Sequence, residues 1–275
     1  MSAADATSPA RIAVWTLLFV GGVLMMMPFV YMLATSLKHN FEVYELSLLP
    51  QAPTLDNYRR LLGASGFARW FLNSSAVALL TTLSVLFFDS LVGYTLAKFR
   101  FRGRMVVFLA VLSTLMIPTE MLVLPWYVIS KTMGWLDTYW GIMFPGLMTG
   151  FGAFLMKQFF ESVPDELIDA GRVDGLNEFQ IWWQIALPLV MPALSALAIF
   201  TFLGNWTAFL WPLIVTSDRA LYTLPVGLAS FASEFQTEWE MVMTGASVAT
   251  LPTLLVFVAL QRYIIRGVML AGLKG

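Results

Sequence analysis

The sequence contains no cysteine, which excludes disulfides and thiolate sites without naming a compartment. Its one histidine, His39, has no nearby ligand set for a metal. Charge is scarce: 12% of the 275 residues are Asp, Glu, Lys or Arg, against roughly a quarter in soluble domains. A net charge of -1 offers no global basic field to draw nucleic acid. A GxxxxGK[ST] phosphate loop is also missing, because the one lysine followed by Ser or Thr, Lys131, has no glycine loop before it. A membrane-embedded enzyme would need a His, Asp or Glu constellation near one interface, and none is present. Nor does the sequence show the internal repeats, or the broken helices in matching positions, of a secondary transporter.

What is abundant is apolar. The chain is 59% hydrophobic and 15% aromatic, with 16 Met, 10 Trp and a mean hydropathy of +0.76. These values predict an all-α membrane protein. About 20 apolar residues cross a bilayer as helix, and six runs qualify: 12–36, 71–97, 105–129, 138–160, 186–215 and 241–262. The first follows Arg11, is longer than a signal h-region and lacks a clean small-residue cleavage site, so a retained signal-anchor helix is expected. KFRFRGR at 98–104 places four cations in one short loop, which predicts a cytoplasmic N-terminus by the positive-inside rule.

One segment breaks the apolar pattern. DELIDAGRVDG, residues 165–175, has five charged residues, four of them acidic. Acidic side chains are costly at a bilayer centre, so residues 161–185 must be wet and, with a cytoplasmic N-terminus, lie in the cytoplasm. Ser162 with Asp165 and Asn177 with Gln180 read as capping boxes, and Gly175 as the stop between two short helices. Small Ala170 and Gly171 would leave one face open to close approach by another surface. The segment reads either as a docking element or as a solvated connector.

Other residues have two readings each. Asp89 and Glu120 fall within apolar runs, where ionisable groups pair with neighbours or line an aqueous path. Asn205, Trp206 and Thr207 bring amide, indole and hydroxyl together, suited to a sugar or to helix packing. Gly146 and Gly150 form GxxxG, expected to be a close helix contact. Trp182 and Trp183 read as an interfacial aromatic anchor. The loop 216–240 is longer than a simple connection needs. Gly227, Ala229 and Ser230 permit close backbone approach there, and Phe231 and Phe235 lie four apart, as on one helical face. An interfacial helix is the alternative for this loop.

PDELIDAGRVDGLNEFQIWWQIALPLVMPAL, residues 164–194, resembles the EAA loop of ABC-importer permeases. That pattern is Glu-Ala-Ala, three residues, then Gly, with Pro at the start of the next membrane helix. Here Asp169, Ala170 and Gly171 stand for the triplet, followed by Gly175, Pro188 and Pro192. NSSAVALLTT, YTLAKFRFRGR, MIPTEMLVLPWY, FLWPLIV, TLPVGLASF and QRYIIRGVMLAGLKG extend the resemblance to the carbohydrate-uptake permeases of the maltose and glycerol-3-phosphate type. Where relatives carry Trp-Asn-Asp, this chain has Trp206, Thr207 and Ala208.

The resemblance implies a single permease domain with six transmembrane helices in the type I, MetI-like fold, located in a bacterial inner membrane. It implies an importer for a carbohydrate or carbohydrate derivative, with a second homologous permease, two ATP-binding subunits and a periplasmic or lipid-anchored solute-binding protein as partners. This chain would bind no cofactor; ATP and Mg would sit on the ATPases. Glu166, Asp169, Ala170, Gly171, Asp174 and Gly175 would couple to an ATPase. The AGLKG tail, 271–275, would reach the same interface. Glu120, Asn205, Trp206 and Thr207 are the candidate pathway residues. Ser230, Phe231, Ser233 and Phe235 are the candidate contacts for the binding protein.

Overall fold

The computed structural model describes residues 9–45, 47–63, 66–232 and 237–272, with side chains from 13 to 261. In order these are α1 (Pro9–Ser36), a 3-10 helix (Asn40–Tyr44), α2 (Asp56–Gly63), α3 (Phe67–Lys98), α4 (Arg104–Thr114), α5 (Thr119–Thr132), α6 (Tyr139–Met143), α7 (Gly150–Glu161), α8 (Asp165–Val173) and α9 (Glu178–Ile181). A π-helical turn (Trp182–Ala186) follows, then α10 (Leu187–Leu189), α11 (Met191–Trp206), α12 (Leu210–Val215), α13 (Leu224–Ala229) and α14 (Trp239–Gly272). Among the described residues there is no strand, only an isolated bridge between Ala232 and Thr237.

Among the described residues three helices are long and apolar enough to cross a membrane: Ala13–Ser36, Phe67–Lys98 and Trp239–Gln261. The other three expected runs are broken. Arg104–Thr114 meets Thr119–Thr132 at 100°, Tyr139–Gly146 meets Gly150–Glu161 at 44°, and Glu178–Leu189 meets Met191–Trp206 at 86°. The total is six if each bent pair is one span. Proline accounts for the breaks, since it removes a helix N–H, clashes with the carbonyl four residues back and disfavours helix at the residue before it. Pro118, Pro145 and Pro192 each sit at a break. Pro188 falls just past the π turn, where the ladder has already widened.

The chain divides into two compact units, Met1–Ser65 with Leu228–Thr250, and Gly66–Gly227 with Leu251–Gly275. In the first, Asn57 Nδ2 donates to the carbonyls of Ser36 and Lys38 at 2.9 and 2.7 Å, and Thr244 Oγ1 donates to the Ser36 carbonyl at 3.3 Å. These bonds fasten α2 and α14 to the end of α1. The lipid-length part of α1 itself is almost bare, with Leu17, Phe19 and Met25 each more than 70% exposed. Such a surface is stable only against lipid or protein.

In the second unit α3 is the central post, packed against α7 and α11. Gly93 allows this approach: a Cβ there would lie 2.6 Å from Met156 Cβ and 2.7 Å from the Lys157 backbone nitrogen. The core around it includes Tyr94, Met156, Phe160, Trp182 and Leu197. Trp182 is thus a core residue, edge-on to Phe87 at 5.6 Å, and not the interfacial anchor expected of it. Trp183 next to it is exposed. A helix turns successive residues by about 100°, so Trp183 faces outward although its ring still touches that of Trp182 at 5.7 Å.

Candidate coupling helix and translocation recess

The charged segment forms a short helix, turn and second helix, as its composition predicts. Its first boundary differs from expectation: Ser162 Oγ donates to the Phe159 carbonyl at 2.7 Å, and Pro164 is the N-cap of α8 without a side-chain bond. Ser162 is too close to the end of α7 to serve the next helix. Asp165 and Glu166 instead complement the helix N-terminus by charge. At the other end Gly175 adopts φ 83°, with Leu176 N–H donating to the Gly171 carbonyl and Gly175 N–H to that of Arg172. This is a Schellman stop. Asn177 and Gln180 then form the expected capping box.

Gly171 is turned inward. A Cβ on it would lie 2.7 Å from Ile185 Cδ1 and 3.2 Å from Ile181 Cγ1. The small-residue face expected to receive another surface is therefore split: Gly171 and Ile168 pack inside the chain, while Asp169, Ala170 and Val173 remain exposed. Arg172 bridges Asp169 and Glu178, each at 2.7 Å, so both short helices move as one body. Glu178 first, and then Asp169, raise the Arg172 pKa above its ordinary value. Lys98, whose side chain is 5% exposed, donates to the Val163 carbonyl at 2.5 Å and pairs with Asp165 at 2.6 Å. That hydrogen bond and the Lys98 charge hold the Asp165 carboxyl below its usual range. Beside it, Glu161 pairs with Lys157 at 2.7 Å and Arg104 at 3.5 Å. The base of α8 is thereby fixed to the end of α3, and the end of α7 to the start of α4.

The α4–α5, α6–α7 and α11–α12 breaks of the second unit meet around one recess of 390 Å³, which the α10–α11 bend at Val190 does not line. Thr114, Thr119 and Trp126 reach it from the α4–α5 break, Gly146 and Thr149 from the α6–α7 break, and Asn205, Ala208 and Trp211 from the α11–α12 break. Irregular backbone at membrane depth persists only where protein or a water-filled cavity satisfies it. Here Ser84 Oγ donates to the Leu147 carbonyl at 2.8 Å, and Trp211 Nε1 to those of Gly141 and Ile142 at 3.1 and 3.2 Å. Fully buried Asp89 accepts the Thr149 N–H at 3.1 Å and the Thr149 hydroxyl at 2.6 Å, while the same hydroxyl caps Gly152 N at 2.9 Å. Asp89 thus follows the pairing reading. Gly146 and Gly150 are close contacts as expected, to Thr81 and to Thr114 with Val111.

Of the candidate pathway residues, Asn205 lines the recess, with Nδ2 bonded to the Thr201 carbonyl at 2.9 Å. Glu120 is exposed in the first turn of α5, where its charge suits the helix N-terminus. Trp206 is buried in packing, stacked on Phe202 and edge-on to Phe71, and Thr207 Oγ1 bonds the Leu203 carbonyl. Neither residue lines the recess. Trp126, Trp211, Thr114 and Thr119 do line it, and the sequence reading had not singled them out. Their signal was proximity to Pro118, Pro125 and Pro212. In the 216–240 loop, α13 ends at Ala229, so Phe231 follows the helix. Ser230 is exposed and Phe231 half-buried. Ser233, Phe235 and residues 273–275 of the AGLKG tail lie outside the described residues, as do the side chains of Ala271 and Gly272. Among the described residues no group of three His, Asp or Glu could hold a metal.

The family model described as "Binding-protein-dependent transport system inner membrane component" matches residues 89–270. The arabinooligosaccharides transport system permease protein AraQ of Bacillus subtilis (strain 168) is 35% identical over 270 residues, covering 96% of each chain. The sn-glycerol-3-phosphate transport system permease protein UgpE of Brucella abortus (strain 2308) is 32% identical over 265 residues, covering 92% of this chain and 94% of that one. The fold is similar to a chain in the crystal structure of a bacterial ABC transporter that imports the acidic polysaccharide alginate, with TM-score 0.83 and 23% identity, covering 96% of this chain and 98% of that one. A family match over most of the length, agreeing with near-full-length relatives and with a bundle of broken spans, places the chain in its family: it belongs to the binding-protein-dependent transport system inner membrane components.

Proposed function

We propose that this permease carries a neutral saccharide through the recess at its helix breaks, driven by α8 docked on an ATPase. The convergence of three helix breaks, α4–α5, α6–α7 and α11–α12, on one recess carries this reading. Broken helices expose polar backbone beside a cavity, and the Thr and Asn side chains there match a sugar's hydroxyls while Trp126 and Trp211 match its apolar faces. No Lys or Arg lines the recess, so this chain offers a phosphate no counter-charge. The relation to AraQ, named for arabinooligosaccharides, supports the saccharide class.

In this reading the N-terminus is cytoplasmic, because the four cations at 98–104 stay inside. The ion pair Lys98–Asp165 keeps α8 on that same side, and Arg104–Glu161 does so for the end of α7 that leads into it. Glu166, Asp169, Ala170, Asp174 and Gly175 present the surface to the ATPase, with Gly171 bracing it from within. Closure of two ATP- and Mg-loaded ATPase subunits moves α8 as a rigid body and switches the paired permeases between their two states. A solute-binding protein delivers the sugar near Ser230 and Phe231. The test is uptake of labelled arabinotriose by the complex reconstituted with its ATPase, second permease and binding protein. Uptake should require ATP. Equal uptake without ATP would overturn the reading in favour of a secondary transporter.

A further inference from the structure

We propose that Tyr31, Tyr44, Trp239 and Thr35 form a second saccharide subsite, on the outer face. It rests on the saccharide reading above but shares no residue with the recess at the helix breaks. The site is a concavity of 320 Å³ within the first compact unit, lined by these four residues with Val43 and Met243. That volume is at the small end of ligand pockets, which run from about 300 to 1,000 Å³. Three elements each supply one ring: α1 gives Tyr31, the 3-10 helix gives Tyr44 and the first residue of α14 gives Trp239. No ring contact joins these three to one another, so their faces are not consumed in mutual stacking.

The polar feature is Thr35. It is 1% exposed, and its hydroxyl has no hydrogen-bond partner. The neighbouring Ser36 bonds the Leu33 carbonyl at 2.7 Å, and Ser247 on α14 bonds Met243 at 2.8 Å. A helical threonine ordinarily finds such a carbonyl, and a buried hydroxyl left without one is costly. Thr35 lines the concavity, and a turn about χ1 that brings its hydroxyl to that wall would let a ligand hydroxyl satisfy it. Three aromatic rings and the hydroxyl of Thr35 along one concavity suit a pyranose or furanose, whose C–H faces stack on aromatics while its edge hydroxyls need partners.

The frame is already rigid. Lys38 Nζ lies 5.8 Å from the Tyr31 ring centroid and donates to the Ser47 carbonyl at 2.5 Å. Tyr44 Oη donates to the Thr237 carbonyl at 3.4 Å. With a cytoplasmic N-terminus, the end of α1 and the start of α14 both face outward, where a sugar leaves its binding protein. Tyr and Trp also gather at membrane interfaces as separate lipid anchors. An anchor has no use for a buried, unpartnered hydroxyl on a residue that lines a concavity.

The experiment is saturation-transfer difference NMR on the assembled importer in lipid nanodiscs, with arabinotriose as probe and no binding protein present. Wild type should transfer saturation to the sugar, and Trp239→Ala and Tyr44→Ala should each reduce the transfer at least fivefold. Both residues are substantially exposed, so truncation spares the fold. Thr35→Val should weaken the sugar signal while leaving Tm unchanged or higher, which a structural hydroxyl would not do. Transfer that is unchanged in all three variants, or transfer to lipid headgroups alone, overturns the subsite. ATP-driven arabinotriose uptake without any transfer in wild type overturns the subsite and leaves the transport reading standing. Absence of ATP-driven uptake for arabinotriose and lactose alike overturns both.

Discussion

Lys98 Nζ, on the last residue of α3, lies 2.6 Å from Asp165 Oδ1 in the first turn of α8. The same ammonium satisfies the Val163 carbonyl in the connector at 2.5 Å. Force applied to α8 therefore reaches the central helix through a cation with a 5% exposed side chain, along with the covalent chain. Lys98→Met should lower binding-protein-stimulated ATPase about tenfold, within the range of ordinary coupling energies, with assembly unchanged on size exclusion. Asp165→Asn should cost less, because Lys98 still holds the Val163 carbonyl. Reversing both charges should fail to rescue, since a carboxylate at 98 cannot donate to that carbonyl. Full rescue would mean that the ion pair alone matters.

The Asp165 carboxyl is depressed by the Lys98 hydrogen bond and then by its charge. A depressed carboxyl stabilises the folded state above its unfolded pKa and loses that contribution as pH falls through the folded pKa. The unfolded value is about 3.9, so the pair is intact throughout the neutral range. Coupled ATPase should show no titration assignable to this pair between about pH 6 and 8. An acid limb in that window that disappears in Asp165→Asn would contradict the assignment.

Gly171 allows α8 to lie on Ile181 and Ile185, and the nearest obstacle to a Cβ is the flexible tip of Ile185. Gly171→Ala should destabilise the assembled complex by about 1–2 kcal/mol as overpacking, read as a lower Tm. Ile185→Val removes the obstructing Cδ1 and should restore Tm in the double variant. Ala170→Trp, on the exposed side, should leave Tm alone and abolish ATPase coupling. If Ala170→Trp couples normally, the exposed face of α8 is not the docking surface.

The sequence made the apolar spans and the wet helix-turn-helix legible, because burial cost and glycine stereochemistry act locally. Pro118, Pro145 and Pro192 stand at or beside breaks inside runs that read as continuous spans, because the bend angles depend on what the freed backbone groups find, such as Ser84 and Trp211. Gly171 looked like an intermolecular contact because a small residue reads the same whichever partner approaches it. Trp206 had the chemistry of a sugar ligand but spends it on Phe71 and Phe202. Composition names the chemistry a residue can do; only packing selects which partner receives it.

Asp89 and Thr149 join α3 to the N-cap of α7, and that cap borders the recess. Thr149→Val keeps the shape but removes the cap of Gly152 and one donor to a buried carboxylate. The expected loss is about 1–3 kcal/mol, seen as reduced Tm and yield in detergent. Thr149→Ser retains the hydroxyl and should recover most of it. Equal stability of the Val and Ser variants would show that the hydroxyl chain contributes little.

Ala208 lines the recess at the position where the resembled permeases carry Asp. Its methyl leaves the lining uncharged, and Pro212, which has no N–H, cannot bond the Ala208 carbonyl four residues back. Ala208→Asp would add a fixed negative charge to a wall without Lys or Arg. At ~4 Å from an anionic group, such a charge costs about 1–4 kcal/mol between bulk-water and surface-like dielectric. KM for a uronate or phosphorylated sugar should therefore rise at least about fivefold, while a neutral oligosaccharide is affected no more than by Ala208→Asn. Paired uptake assays of both variants with one neutral and one anionic sugar separate charge from volume. If Asp and Asn slow both sugars equally, position 208 only sets the width of the passage. If neither changes uptake of either sugar, the recess is not the route.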